Sequence, residues 1–341
     1  MPLFYNYDVI TIGGSTEDIS MNIDDYHLIA NRDQPSGNPL LAFDYGTKVR
    51  VSRSVSTFGG GATNTAVCFS LLGLRVAGMI SYGSDERGKR IVNNLKNNKV
   101  DTSLMKKIIS EVSGFSFIAI GDDNEHVAFS YRAANNFLEI NKRDISKLSQ
   151  TKWLFLTSMT GSWKSNLDNI FAVPKVKVAW NPGEEQLDAG FKALKKYLAK
   201  TTVLSMNKDE AIKLILSHPD HSSSPYDFLT SSVNLLKVLR GWGPEIVVIT
   251  NGPHGADAYD GAKFYYQPVI VSKHKEDTTG LGDAFGSSFI AGLEIFSNDV
   301  KKALYLSAKN ASSVISALGA QNGLLTRSDV KLLFDPKFKW R

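Results

Sequence analysis

The sequence predicts an α/β fold: a mostly parallel central sheet flanked by helices, with a small inserted β-sheet acting as a lid. Three observations lead there. Short β-branched, apolar runs alternate with amphipathic stretches along most of the chain, the pattern of parallel strands joined by crossover helices. Runs such as IVVIT (Ile246–Thr250) are apolar without interruption, as strands buried on both faces must be. Two segments instead alternate apolar and polar residues, as half-buried antiparallel strands do.

In chain order, the strands are expected at Tyr7–Gly13, Arg75–Ser81, Lys152–Ser158, Val176–Trp180, Thr202–Met206 and Glu245–Thr250. Helical spacing marks Asp85–Asn98, Glu185–Lys200 and Asn207–Ser217 between them. A further helix starts near Asp283, where Phe285, Phe289, Leu293 and Phe296 recur on one face. Of the alternating segments, Lys48–Val55 sets Val49, Val51 and Val55 among polar neighbours. Phe115–Arg132 has two alternating arms around Gly121-Asp122-Asp123-Asn124, a hairpin pattern. Inserted in a parallel chain, these segments predict a lid built from about residues 19–58 and 112–132 of a single domain, 1–341. Another hairpin, Ala256–Tyr266, turns at Asp260-Gly261. Ser217–Phe228 reads as a surface loop, with His218, Asp220 and His221 solvated rather than ligating metal.

The 341 residues are 43% hydrophobic and 21% charged, an ordinary globular composition with room for a large core and no need of a disulfide or metal staple. The single cysteine, Cys68, excludes an internal disulfide and a zinc knuckle and fits a reducing compartment. Its apolar neighbours mark it as a buried, inert thiol. The net charge is +5 and the pI about 9.0, but Lys and Arg are scattered, so no nucleic-acid surface is expected. A mildly basic total suits a protein handling polyanionic nucleotides. The densest basic cluster, Lys331–Arg341, reads as a solvated tail. No run of 18 apolar residues exists, so no membrane span is predicted. The first residues lack a basic n-region and carry Asp8 inside their apolar stretch. They read as a strand rather than a signal peptide, and the cytoplasm is the expected location.

Three glycine-rich stretches are candidates for phosphate binding. Gly13–Asp18 follows the first strand but lacks the G-x-G-x-x-G spacing. Gly59–Asn64 has Asn64 where a third glycine belongs. Neither contains G-K-[ST], so the ordinary P-loop is absent from both. DTTGLGDAF (Asp277–Phe285) places a glycine turn at a helix N-terminus, where outward-pointing N–H groups attract anions. Gly280 and Gly282 give the backbone freedom there. From these residues alone, Asp283 is either a helix cap or a base at the rim of a phosphate cradle.

From roughly Asp8 to Leu325 the chain resembles the ribokinase/PfkB family of carbohydrate kinases. Gly59–Asp101, with its Gly-Gly, Asn, Leu-Gly and Gly-x-Asp-x-x-Gly positions, is similar to the first family signature. Asp277–Leu293 is similar to the second. Between them, Asn207–Ala211 (NKDEA) resembles the Asn-x-x-Glu motif and Ile249–Ala256 (ITNGPHGA) the nucleotide loop. Leu281 stands where the family usually has Ala, and Asn251 before Gly252 is a second departure. The resemblance implies a ribokinase-like, Rossmann-type three-layer fold. It also implies an ATP- and Mg²⁺-dependent kinase acting on a hydroxyl of a small sugar or sugar derivative.

Under this resemblance Asp283 is the general base, and the backbone of Gly280, Leu281, Gly282 and Asp283 is the anion hole. Asn207 and Glu210, three apart at a helix start, can both face one side of its first turn, and a capping arrangement explains that spacing equally well. The resemblance implies that they organise Mg²⁺, Asn207 through water. Asp18, past the first strand, would hold paired sugar hydroxyls. Gly59 and Gly60 would let a sugar approach the backbone, and Asn64 would offer a donor and an acceptor. Arg132 is either an exposed strand arginine or a clamp for a substrate anion. Thr250, Gly252 and Gly255 match the nucleotide loop, Asn207 is counted with them as nucleotide-binding, and small residues of Lys309–Ala320 would line the adenine pocket. Some relatives are activated by K⁺ and some dimerise through the lid, so both are open for this chain.

Three other readings remain. In a nucleoside kinase of the same fold, Phe43, Tyr45 and Phe58 would stack on the base. In a phosphosugar or sugar-acid kinase, Lys48, Arg50, Arg53 and Arg132 would supply cations. A non-catalytic sugar- or nucleotide-binding protein is the third.

Overall fold

The computed structural model describes residues 5–30, 39–121 and 126–334. The turn expected at Asp122–Asn124 and most of the basic tail lie outside them. Among the described residues, the large sheet has nine strands. From one edge to the other they are Phe264–Gln267, Ala256–Tyr259, Ile246–Thr250, Val203–Asn207, Lys177–Trp180, Thr151–Leu156, Tyr7–Gly13, Val76–Gly83 and Lys106–Ile108. Ala256–Tyr259 pairs antiparallel with both of its neighbours, and all the other pairings are parallel. All six expected parallel strands are present, within two residues at either end.

Alternation along each strand builds two core layers. Leu154, Leu156, Ile10 and Ile12 enter one, with Leu167, Leu194, Leu214 and Leu239 of the covering helices. Trp153, Phe155 and Val9 enter the other, with Phe69, Ile91, Leu95, Phe289 and Leu304. Each such side chain contributes about 1.5–3 kcal/mol when fully buried. Cys68 lies in the second layer, fully buried. No helix among the described residues is long and apolar enough to cross a membrane.

A second, four-stranded sheet is ordered Val51–Gly59, Thr16–Ile23, Phe115–Ile120, His126–Tyr131. It starts at Thr16, slightly before the expected lid boundary. The strand predicted at Lys48–Val55 is shifted, beginning at Val51 and running on to Gly59, so Val49 precedes it. Asp18 pairs with Thr57 and Ser116, so these three share one face. Glu17, Phe58 and Phe115 share the opposite face, where Phe117, Phe129 and Tyr131 are exposed. A separate hairpin pairs His27–Ile29 with Leu40–Ala42. The expected surface loop at 217–228 contains a short 3₁₀ turn, Pro219–His221, and the start of a short helix, Tyr226–Thr230. No cluster of metal-ligating side chains is present among the described residues.

Candidate active site

The glycine turn is built by its neighbours. Asp277 accepts hydrogen bonds from the Thr279 N–H (2.8 Å) and the Gly319 N–H (2.9 Å), tying the turn to the segment after the helix Val300–Val314. Gly280 is left-handed (φ +76°), and a Cβ there would meet the Ala320 methyl at 2.3 Å, so only glycine closes this turn. The helix Leu281–Ile295 therefore begins two residues earlier than the sequence predicts, with Gly280 as its N-cap. Asp283 sits in the first turn and caps nothing. Its Oδ2 accepts from Asn64 Nδ2 at 2.9 Å, which removes the capping reading.

A glycine cap has no side chain to satisfy the first-turn amides. The Leu281 N–H makes only a long 3.4 Å bond to the Thr278 carbonyl. The Gly282 and Asp283 amides have no acceptor among the described residues. Gly282 does not need glycine's conformational freedom, contrary to expectation, because its φ is not positive. A Cβ there would have nothing within 4 Å, and the helix mouth is open at this point.

Asp283 reaches the cleft only partly, and burial pushes its carboxyl up to about 6. The Asn64 hydrogen bond opposes this shift, and the negative charge of Asp18 adds to it. Asp18 is buried, and burial likewise raises its carboxyl. The Thr16 and Ser116 hydroxyls and the charge of Arg132 oppose that, while Asp277 reinforces it. Asp18 Oδ1 is buried with no hydrogen-bond partner among the described residues, an uncommon and costly state for a carboxylate oxygen. Two carboxylates thus influence one another, and that of Asp283 is pushed up to about 6.

Gly59 and Gly60 are filled spaces here. A Cβ on Gly59 would lie 1.8 Å from Asp18 Oδ2, and one on Gly60 would lie 2.6 Å from the Gly14 carbonyl oxygen. The first glycine makes room for the Asp18 carboxylate. The second lets the helix Gly61–Leu71 start against the Gly14-Ser15 bend. Asn64 is buried, and its Oδ1 accepts from Gln321 Nε2 at 3.0 Å. Arg132 is exposed at the end of the lid hairpin and acts on Asp18 through its charge. Phe58 lies on the lid face opposite Asp18, and Phe43 and Tyr45 are exposed. Arg53 pairs with Asn22 and shares the Asp18 face.

A cavity of about 640 Å³ opens beside the glycine turn. Thr250, Gly252, Gly255, Ala308, Ala311, Ser312 and Ile315 line it, and so do Leu281, Gly282 and Phe285, which flank Asp283 in the chain. A Cβ on Gly255 (φ +85°) would strike the Gln267 carbonyl oxygen at 2.2 Å, which explains that glycine. Asn310, left out of the nucleotide site on sequence grounds, is buried and bonded to Ser288.

Asn207 ends a central strand in register with Thr250. Asn207 Oδ1 accepts from the Glu210 N–H, and Glu210 Oε2 accepts from the Asn207 N–H, both at 2.8 Å. The capping box foreseen from spacing is therefore formed. It leaves Glu210 Oε1 without a partner among the described residues, and burial raises the Glu210 carboxyl. A single free carboxylate oxygen fits the chemistry of Mg²⁺, which keeps most of its waters and takes few protein ligands.

Three residues escaped the sequence reading. Asn135 brackets Ser15, accepting from its N–H and donating to its carbonyl. Lys275 lines the cavity, in a stretch without pattern. Gln321 reaches Asn64 from a polar turn, and nothing local to it signals that role.

The family model described as pfkB family carbohydrate kinase matches residues 28–327. The chain is 25% identical over 283 residues to a ribokinase of Haemophilus influenzae, covering 80% of this chain and 85% of that one. Among solved structures it is similar to the ribokinase of Arabidopsis thaliana complexed with ribose and ATP. The TM-score is 0.77 at 18% identity, with 98% of this chain and 99% of that one covered. A nucleoside kinase of Burkholderia thailandensis in complex with inosine matches equally well, with a TM-score of 0.77, 18% identity and the same coverage.

Proposed function

Because the chain belongs to the pfkB family of carbohydrate kinases, we propose that it transfers the γ-phosphoryl group of ATP to a hydroxyl of a small sugar or sugar derivative. The observation that carries this reading is the position of Asp283. Its carboxyl, pushed up to about 6, directly follows the cavity-lining Leu281 and Gly282 and feels the charge of Asp18, whose Oδ1 is buried and unpartnered.

In this reading the cavity holds the nucleotide, with its phosphates toward Gly282. Asp18 accepts from hydroxyls of the acceptor sugar and presents one of them to Asp283. The hydroxyl oxygen attacks the γ-phosphorus, the bond from that phosphorus to the β–γ bridging oxygen breaks, and ADP departs. Asp283 takes the hydroxyl proton, and a base titrating near 6 is matched to this task at neutral pH. The free amides of Gly282 and Asp283 stabilise charge on the phosphoryl oxygens in flight. Glu210, and Asn207 through water, would hold Mg²⁺, which neutralises phosphate charge when bound. The lid closes over the sugar and excludes water.

The cationic side chains on the cleft side favour one second reading. Arg132 acts on Asp18 and Arg53 shares its face, so a sugar bearing a carboxylate or phosphate also fits.

The test is ADP release from ATP and Mg²⁺ with purified protein over pentoses, hexoses, sugar acids, sugar phosphates and nucleosides. Release dependent on one hydroxyl compound, with its phosphate ester as product, is expected. Substrate-independent hydrolysis alone, or no release with any acceptor, would overturn the reading.

A further inference from the structure

Behind Asp283 runs a line of four side-chain amides. Asn98 Nδ2 donates to Asn94 Oδ1 (3.3 Å) and to the Asn94 carbonyl (2.9 Å). Asn94 Nδ2 donates to Gln321 Oε1 at 2.7 Å, Gln321 Nε2 to Asn64 Oδ1 at 3.0 Å, and Asn64 Nδ2 to Asp283 Oδ2 at 2.9 Å. The direction is dictated by its terminus, because an ionised carboxylate accepts only. If any amide in the row turned over, two oxygens or two NH₂ groups would face each other. Dipoles in such a row reinforce one another.

Gln321 is held for this task by its neighbours. In three consecutive residues, Gly319 donates to Asp277, Ala320 packs against Gly280 and Gln321 reaches Asn64. The turn that closes the glycine loop therefore also sets the amide behind the carboxylate. At the far end, Asn94 and Asn98 belong to the helix Glu86–Asn97 and its C-cap. The first turn of that helix grips the lid, since Arg87 and Arg90 both bond Glu17, the neighbour of Asp18.

We propose that Gln321, backed by Asn94 and Asn98, is a positioning residue for Asp283. It locks the Asn64 amide in the orientation that donates to Oδ2, and so leaves Oδ1 free to meet the substrate hydroxyl. The proposal rests on Asp283 being the base. No cation bonds Asp283 among the described residues. The charge facing it is Asp18, itself influenced by Arg132 and Asp277.

Gln321→Met keeps the side-chain length and removes both hydrogen bonds. The expected result is a kcat lower by about ten- to hundredfold with KM for ATP within about twofold. The acid limb of the kcat–pH profile should move up by roughly half a unit or more, because the anion loses its oriented donor. The Asp283 carboxyl, followed by ¹³C NMR in free protein, should titrate higher by the same amount. Asn94→Ala should shift both readouts the same way by less, and it decides the matter where Gln321→Met does not fold. An unmoved carboxyl titration and acid limb in folded variants overturn the proposal while Asp283 remains essential. Near wild-type turnover in Asp283→Asn instead overturns the reading of the base itself.

Discussion

Asn64 and Asp283 lie 219 positions apart and are joined by a 2.9 Å hydrogen bond from amide to carboxylate. The bond ties the helix that follows the lid to the helix that carries the glycine turn. The two helices pack closely, so the carboxyl is held from a rigid neighbour. With Oδ1 of Asn64 already accepting from Gln321, one N–H of its amide remains for a substrate.

Replacing Asn64 by Ala removes the hydrogen bond that opposes the upward shift of Asp283. The carboxyl then titrates above about 6. A base acts when ionised, so the acid limb of kcat moves to higher pH. The loss should be largest near pH 6 and partly relieved at pH 8–9, with kcat at pH 7 down by about ten- to a hundredfold. A kcat–pH profile checks it, and a uniform loss at every pH would contradict it.

Gly282→Ala separates stability from function. The added methyl meets no atom within 4 Å and sits in a helix, so the fold should be unchanged or gain about 0.5 kcal/mol. That methyl stands at the mouth of the anion hole, and kcat/KM for ATP should fall by about tenfold or more. Thermal unfolding and steady-state kinetics on the same sample decide it.

Asp283 itself should weaken the fold at alkaline pH. Its carboxyl is raised from 3.8 to about 6, so the native state holds the proton more tightly than the unfolded chain. Stability from this group therefore falls as pH rises from 4 to 6 and stays low above that. Allowing for its partial exposure, Asp283→Asn should be more stable by about 1–2 kcal/mol at pH 8, and the gap should close by pH 4. Denaturant titrations at the two pH values measure it.

Asp8 shows the opposite sign. Burial works against its charge, but Arg75 hydrogen bonds and Lys152 bring its carboxyl down to about 2. The resulting stability is present above pH 4 and is lost as pH falls toward 2. Because Arg75 and Lys152 are well exposed, Asp8→Asn should destabilise by only about 1 kcal/mol at pH 7, with no difference left near pH 2. Unfolding curves across that range test the sign.

The large sheet was legible because its strands are buried on both faces. Val9, Ile10 and Ile12, or Val247, Val248 and Ile249, leave little else for such a run to be. The lid was less so. Much of Val51–Gly59 is exposed or half-buried, and its register follows from pairing with Thr16–Ile23, not from its own pattern. At the site, spacing left Asn207 and Glu210 with two readings, and the structure forms the capping box without excluding the other. For Asp283, the cap reading falls because Gly280 takes the N-cap position and the carboxylate accepts from Asn64 instead. Gln321 could not be foreseen, since its contact with Asn64 spans 257 positions and a glutamine in a polar turn has no distinguishing period.

The most direct measurement is turnover of Asp283→Asn with the acceptor that best supports ADP release in the unaltered protein. The amide keeps the shape and the Asn64 contact but removes the base, so kcat should fall by about 10²–10⁴-fold while ATP still binds. A variant turning over within a few-fold of the unaltered protein would contradict the assignment of Asp283 as the group that takes the proton.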